Sequence, residues 1–302
     1  MKIAVIGPGA LGSLFAAGIS RAADHDIRLL DHDAQRAARL DNKLLLNENG
    51  RELVCPVRIT AEVRDIGPVD LVLLCVKSAD VTDALARARP LLDANTLLIP
   101  FQNGIRHLDV LHATPFLVAI GVTAQGATLL SPGHVRHGGS GLTRINFLKP
   151  QSDRALKKLN NAVHLLNSCG FKTEISPNIL SHVWAKLLVN VGINALTAIL
   201  NCPNGDLLKE PARTRMIAAV REGAAVAKTM GIELPTDPVA ITQQVCRDTA
   251  ANISSMLQDA RRGKTTEIEA INGALVVEAG KLNVAVPVNE ELVRQVKELT
   301  TL

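Results

Sequence analysis

Aromatic side chains are scarce: the 302 residues include five Phe, one Trp and no Tyr. Single-strand nucleic-acid binders stack bases on such rings, so nucleic acid is excluded as the expected partner. Charge of one sign is lacking too, because 33 Lys+Arg against 29 Asp+Glu leave a net charge of only +4. Cysteine is sparse and scattered. Cys55, Cys75, Cys169, Cys202 and Cys246 are odd in number and contain no C-x-x-C pair, which argues against a disulfide framework or a zinc site. They read as small buried hydrophobes of a reducing, cytoplasmic compartment. No unbroken apolar run reaches the roughly 20 residues of a membrane span. The best candidate, Leu187 to Leu200, is too short and carries Asn190 and Asn194, so no membrane partner is expected. Met1-Lys2 leads straight into a strand and a glycine turn, so no signal peptide is expected either. What is present is a 47% apolar composition, enough for a full core, over a length that suits two domains.

The first half alternates short β-branched runs with stretches of helical period. The expected strands are Ile3 to Ile6, Ile27 to Leu30, Leu71 to Cys75, Leu97 to Pro100 and Phe116 to Ile120. Helices are expected at Ala10 to Ala23, Ala34 to Leu40 and Val81 to Leu92. Strands apolar on both faces and separated by helices imply a parallel sheet covered on both sides. Gly133 to His137 and Arg144 to Phe147, with Gly138, Gly139 and Gly141 between them, suggest an antiparallel hairpin at the sheet edge. Beyond residue 177 the strand signal ends. Helices are expected at Leu180 to Leu200, Ala212 to Met230, Val239 to Arg262, Glu267 to Leu282 and Asn289 to Leu299. The fold class is therefore an α/β dinucleotide-binding domain of Rossmann type followed by an all-α domain. The boundary falls near 172–177, giving domains at 1–174 and 175–302.

Gly7-Pro8-Gly9-Ala10-Leu11-Gly12 is a G-x-G-x-x-G string placed directly after a predicted strand and opening a helix. In that setting Gly7 permits the tight turn, Gly9 lets a pyrophosphate approach the backbone, and Gly12 allows close helix packing. Asp31 ends the next strand, about 20 residues further on, where an acid accepts from an adenosine ribose hydroxyl and repels a 2′-phosphate. Either Asp31 or Asp33 equally suits the N-cap of the helix beginning at Ala34. Arg36 reaches a phosphate from that same helix.

Lys186, Asn190 and Asn194 stand four apart in an otherwise apolar stretch. Each is rotated only about 40° from the last, so the three form one polar stripe on a helix that otherwise favours burial. Unpaired, such a stripe costs several kcal/mol, so something polar must meet it. A second constellation runs from Asn252-Ile253-Ser254-Ser255 to Thr265-Thr266-Glu267-Ile268-Glu269. Thr266 and Glu269 have the spacing of a capping box, which puts Glu267 in the first turn of the next helix. Spacing alone does not separate Glu267 from Glu269 as a catalytic acid, and Ser255 equally suits a satisfied helix hydroxyl.

Taken together, the glycine turn, Cys75-Val76-Lys77-Ser78, Gln102-Asn103-Gly104, the Lys186/Asn190/Asn194 helix, Cys202-Pro203-Asn204-Gly205, Asn252 to Met256 and Thr266-Glu267-Ile268 resemble the ketopantoate reductase family, over essentially the full chain. The resemblance implies reduction of the 2-oxo acid 2-dehydropantoate to (R)-pantoate, in pantothenate biosynthesis, with hydride from NADPH. It also implies Lys186 as general acid and Glu267 as its partner carboxylate near the cofactor. By the same resemblance Asn190, Asn194, Asn204 and Ser255 bind substrate, supported by Asn252, while Lys77 and Asn103 lie between nicotinamide ribose and substrate. Cofactor contacts fall on Gly7, Pro8, Gly9, Ala10, Leu11, Gly12, Asp31, Lys77, Asn103 and Glu267.

One departure stands out. The family commonly places an arginine just after the second strand, where this sequence has Asp31-His32. NAD(H) use therefore stands beside NADP(H), as dual use or an NADH preference. Rival readings are a same-fold dehydrogenase for another 2-oxo acid and a non-catalytic nicotinamide redox sensor. A sensor needs neither Lys186 nor Glu267. His134 and His137 form a near pair with no third ligand, so no metal is expected. The apolar faces of the helical half leave room for a homodimer.

Overall fold

A computed structural model describes residues 1–22 and 25–300. Residue 23, the last of the first expected helix, lies outside the described residues. By internal contacts the chain divides into two units, Met1–Gln102 with Val110–Ile179, and Asn103–Asp109 with Leu180–Leu302.

The first unit is built on a six-stranded, all-parallel sheet. Across it the strands run Arg58–Thr60, Asp26–Leu30, Lys2–Ile6, Leu71–Leu74, Leu97–Pro100 and Leu117–Val118. Every residue of Leu71–Leu74 and Leu97–Pro100 is buried, as strands covered on both faces require. Helix Ala10–Ala22 packs on the sheet through Phe15, whose ring lies 5.0 Å from those of both Phe101 and Phe171. Lys2–Ile6 has Asp26–Leu30 on one side and Leu71–Leu74 on the other. The chain thus reverses its direction of progress there, and ligands of such sheets bind beyond the strand ends at that switch point.

Three strand expectations are corrected. His134–Gly139 and Thr143–Asn146 do not pair with each other. The former joins Gly126–Ser131, Lys43–Glu48 and Arg51–Pro56 in a four-stranded sheet, and the latter lies between Ile120–Thr123 and Thr173–Ile175 in a three-stranded one. The run from Phe116 to Ile120 is likewise divided, with Leu117–Val118 in the parallel sheet and Ile120 starting a strand of the three-stranded sheet. The hairpin Lys43–Glu48 with Arg51–Pro56 was not expected, although Asn49-Gly50 at its tip has positive φ at both residues (51° and 76°), the signature of a two-residue turn. All five cysteines are free, but only Cys55 and Cys246 are buried and the other three are partly exposed.

The second unit is helical. Its centre is Ile179–Leu200, which at 22 residues corrects the expectation of a segment too short to span a membrane. The decisive fact is packing: 67% of its most apolar window is buried inside the protein. Around it lie Ala212–Thr229, Pro238–Asp248, Ser255–Arg261, Ala274–Lys281 and Pro287–Thr300. The expected helix Val239 to Arg262 is broken at residues 249–254, because the backbone there pairs with the Cys202–Gly205 loop. Asn204 N–H donates to the Asn252 carbonyl and Gly205 N–H to that of Ala250, each at 3.0 Å. Ser254 then restarts the helix by accepting from Leu257 N–H at 3.1 Å.

The helix expected to begin at Glu267 opens instead with a π turn, Glu269–Gly273, and the capping box does not form. Glu269 is drawn to Lys297 and lies over Gly273, where a Cβ would come within 2.5 Å of its Oε2. The Glu267 carbonyl takes the first turn's donors, Ala270 N–H at 3.0 Å and Ile271 N–H at 3.1 Å. Inside this turn Asn272 donates to Asn289 Oδ1 at 3.0 Å and to the Val191 carbonyl at 3.3 Å. Glu222 accepts from the Asn289 amide at 2.8 Å and caps the last helix through Val288 N–H and Asn289 N–H. This network ties the π turn to the central helix, with Asn272 Oδ1 left without a partner among the described residues.

Candidate active site

In the first unit the glycine turn divides its roles among three positions. Gly7 has φ +102° and donates to the Leu30 carbonyl at 3.1 Å, which brings the turn against the second strand. A Cβ on Gly12 would lie 2.0 Å from the Gly7 carbonyl oxygen, so only glycine lets the helix start this close. Gly9 is different. An added Cβ would meet nothing within 4 Å, and its φ is outside the positive range. No packing or backbone reason inside the protein calls for glycine there, whereas an anion resting on the turn does. Pro8, Ala10 and Leu11 are partly exposed beside it, and no acidic side chain occupies the first turn of the helix. The donors and the cradle therefore fit a dinucleotide pyrophosphate.

A cavity in the same unit is lined by Gly7, Asp31, His32, Val76, Asp80 and Arg87. Of the two candidate caps for the helix beginning at Ala34, Asp33 takes the role and accepts from Arg36 N–H at 3.0 Å. The Asp31 side chain is completely buried, and both its oxygens are engaged. Arg36 grips it in a fork, Nε donating at 2.6 Å and Nη2 to the other oxygen, which also accepts from Asp33 N–H at 3.0 Å. Arg36 Nη2 lies 3.4 Å from His32 Nδ1, and Arg87 donates to the Asp31 carbonyl at 3.4 Å. Lys77 is partly buried just past the Leu71–Leu74 strand, where it caps the Ser78–Asp80 turn.

In the second unit the polar stripe lies on the central helix. Lys186 and Asn190 are partly buried, and Asn194 is 5% exposed. Burial pushes the Lys186 ammonium down to about 8, against the opposing pull of the Glu267 carboxylate. Asn103 donates to Glu267 Oε2 at 3.0 Å. Its segment is seated on the π turn: Ile105 N–H donates to the Ala270 carbonyl at 3.3 Å, and a Cβ on Gly104 would sit 1.9 Å from that same oxygen. The Asn190 and Asn194 amides have no hydrogen-bond partner among the described residues. The structure thus gathers Lys186, Glu267 and Asn103 into one charged cluster and leaves the stripe's amides open.

The sequence that folds into this parallel sheet and helical unit matches two models of one family. Residues 3–150 match "Ketopantoate reductase PanE/ApbA" and residues 178–300 its C-terminal region. The chain belongs to the ketopantoate reductase family. It is 34% identical over 293 residues, 95% of each chain, to 2-dehydropantoate 2-reductase of Halobacterium salinarum. Among solved structures it is similar to a PanE/ApbA family ketopantoate reductase from Ralstonia eutropha JMP134, with 31% identity, TM-score 0.90 and coverage of 100% of this chain and 99% of that one. It is equally similar to D-mandelate dehydrogenase in its ternary structure with NADH and anilino(oxo)acetate, at 29% identity and TM-score 0.91 with the same coverage.

The remaining expected substrate contacts sit elsewhere in the helical unit. Asn204 is buried, donates to Thr249 Oγ1 at 2.9 Å, and has an Oδ1 without a partner among the described residues. Asn252 is exposed and supports Asn204 through its carbonyl. Ser255 is exposed at the start of its helix, and the buried hydroxyl beside it is Ser254, 2.7 Å from Thr197 on the central helix. No hydrogen bond among the described residues joins Asn204, Asn252 or Ser255 to Lys186 or Glu267. His134 faces Glu52 at 3.0 Å, and His137 Nε2 lies 2.9 Å from Gln125 Oε1, both on the four-stranded sheet. Among the described residues no group of three His, Cys, Asp or Glu is placed to hold a metal.

Sequence reasoning missed His107. It opens a short helix, is 3% exposed, and is acted on by the Lys186 charge. The available signal was its position four residues after Asn103, which puts both on one docked segment.

Proposed function

We propose that this family member reduces 2-dehydropantoate to (R)-pantoate, with Lys186 as the proton donor. The observation that carries the reading is an ammonium brought down to about 8 beside Glu267, on the same helix face as two amides without hydrogen-bond partners among the described residues. The glycine turn would hold the pyrophosphate of a reduced nicotinamide cofactor, which when bound would supply hydride to C2 of the 2-oxo acid. Negative charge then builds on the carbonyl oxygen, where the Lys186 ammonium stabilises it and transfers one proton, leaving a hydroxyl and a neutral amine. Glu267 favours return of a solvent proton to that amine. Asn190 and Asn194 donate to the substrate's carboxylate and hydroxyl, while Asn103 holds Glu267. Asn204, Asn252 and Ser255 remain proposed substrate contacts of the same unit, and Lys77 a proposed contact to the nicotinamide ribose. The chain acts in the cytoplasm.

For the cofactor we propose dual use governed by Arg36. With NADPH, Arg36 and His32 turn to the 2′-phosphate, a better match to a guanidinium fork than a lone hydroxyl. With NADH, the Asp31 carboxylate accepts from the ribose once Arg36 yields one of its bonds. The assay is loss of reduced-nicotinamide absorbance with 2-dehydropantoate, run with each cofactor and beside an aromatic 2-oxo acid. Turnover on 2-dehydropantoate with both cofactors is expected, and Arg36→Ala should raise KM for NADPH about tenfold with little change for NADH. Turnover on the aromatic acid alone would assign this fold to another substrate. Unchanged NADPH affinity in Arg36→Ala would remove Arg36 from cofactor choice.

A further inference from the structure

The cavity beside the glycine turn has a volume of about 330 Å³, within the range of small-molecule pockets. Ile6 and Leu30, the last residues of their strands, line it together with Val76, just past Leu71–Leu74, so it opens at the switch point of the sheet. Gly7 and Asp31 line it too, so a pyrophosphate held on the turn leaves this space to the adenosine half of a dinucleotide. A purine face is best covered by a flat group. Among the described residues no Phe, Tyr or Trp lines the cavity, and the flat side chains wide enough to cover a base are the His32 imidazole and the Arg87 guanidinium.

Arg87 forgoes its local partner. It stands in the last turn of helix Val81–Ala88, four residues after Asp83, where an acid and an arginine ordinarily pair on a helix surface. Among the described residues Arg87 has no carboxylate partner. Its Nη2 donates instead to the Asp31 carbonyl at 3.4 Å and to the Ala61 carbonyl at 3.3 Å. A cation in a last helical turn suits the helix dipole, but that accounts for the charge and not for this reach. The guanidinium is carried from the helix after Leu71–Leu74 to the ends of the strands on the other side of the switch point. The charge of its wall then decides between a phosphate and a base. Asp80 and Asp83 line the cavity with it, two carboxylates against one guanidinium, which repels a phosphate and tolerates an uncharged base.

We propose that Arg87 is a specificity-determining residue for the cofactor, covering the adenine base with the plane of its guanidinium. This rests on the dinucleotide reading of the glycine turn. The 2′-phosphate stays with Arg36 and His32, so Arg87 serves NADH and NADPH alike. A lysine has the charge without the plane and cannot replace it.

The test is equilibrium binding, followed by reduced-nicotinamide fluorescence, for the parent enzyme, Arg87→Ala and Arg87→Lys. The ligands are NADH, NADPH and reduced nicotinamide cytosine dinucleotide, whose smaller base covers less of the plane. Arg87 is exposed, so neither variant disturbs the core. Arg87→Ala should weaken both adenine cofactors about tenfold and the cytosine analogue about twofold, and Arg87→Lys should do the same. A side chain that only braced the Asp31 and Ala61 carbonyls would weaken all three ligands by one factor and leave the preference for adenine unchanged. That unchanged preference, a loss confined to NADPH, or full recovery in Arg87→Lys would each overturn the proposal. If the parent enzyme binds none of the three, the dinucleotide reading itself falls; binding by the parent that neither variant alters removes Arg87 alone.

Discussion

Lys186→Ala should lower kcat by about three orders of magnitude while the affinity for reduced nicotinamide is retained. Two losses combine: the positive charge that stabilises the developing alkoxide, and the proton that completes the alcohol. The glycine turn, the proposed pyrophosphate site, belongs to the other unit, so the substitution removes none of its residues. In the parent enzyme kcat should fall as pH rises through about 8, because the ammonium is the competent form. The checks are steady-state kinetics from pH 6 to 10 and cofactor binding by fluorescence. Equal kcat values in parent and variant, or an alkaline limb that survives in the variant, would assign the proton to another group.

Between pH 6.5 and pH 4 the protein should lose stability on the order of 3 kcal/mol through His107 alone. The sign follows from where the protons go. The imidazole is held down to about 4 in the folded chain, while the unfolded chain takes up a proton near 6.5. Within that window the unfolded state binds more protons, so stability rises with pH. The contribution is complete above 6.5 and is lost as pH falls toward 4. Denaturant unfolding of the parent and of His107→Asn at several pH values isolates it, because carboxylate titrations are common to both curves. The difference between the curves should narrow steadily on acidification. Parallel curves would show that the ring is protonated in the folded state as readily as in solution.

Much of this molecule was legible before any coordinates. Strands such as Leu71–Leu74, apolar at every position, and a glycine string at a strand-helix junction have few other physical solutions, so the Rossmann-type sheet and its turn follow from local pattern. The stripe of Lys186, Asn190 and Asn194 follows from the 3.6-residue period, which is a property of the helix alone. Local rules failed where a distant partner competed. The capping box of Thr266 and Glu269 gave way to the Lys297 contact, and the helix after Pro238 broke where its backbone paired with the Asn204 loop. His134–Gly139 left its expected hairpin partner for Lys43–Glu48, which is far away in the chain.

At the site the division is the same. Residue order by itself determined which helix bears the cation and amides, and which turn is shaped for an anion. Only the tertiary structure decided that Asp31 is buried in the fork of Arg36, that Asn103 meets Glu267 across more than 160 positions, and that His107 comes under the charge of Lys186. Periodicity speaks for neighbours within a few residues. The acidity of a lysine or the availability of a carboxylate depends on burial and on charges brought close from remote segments, and those exist only once the chain has packed.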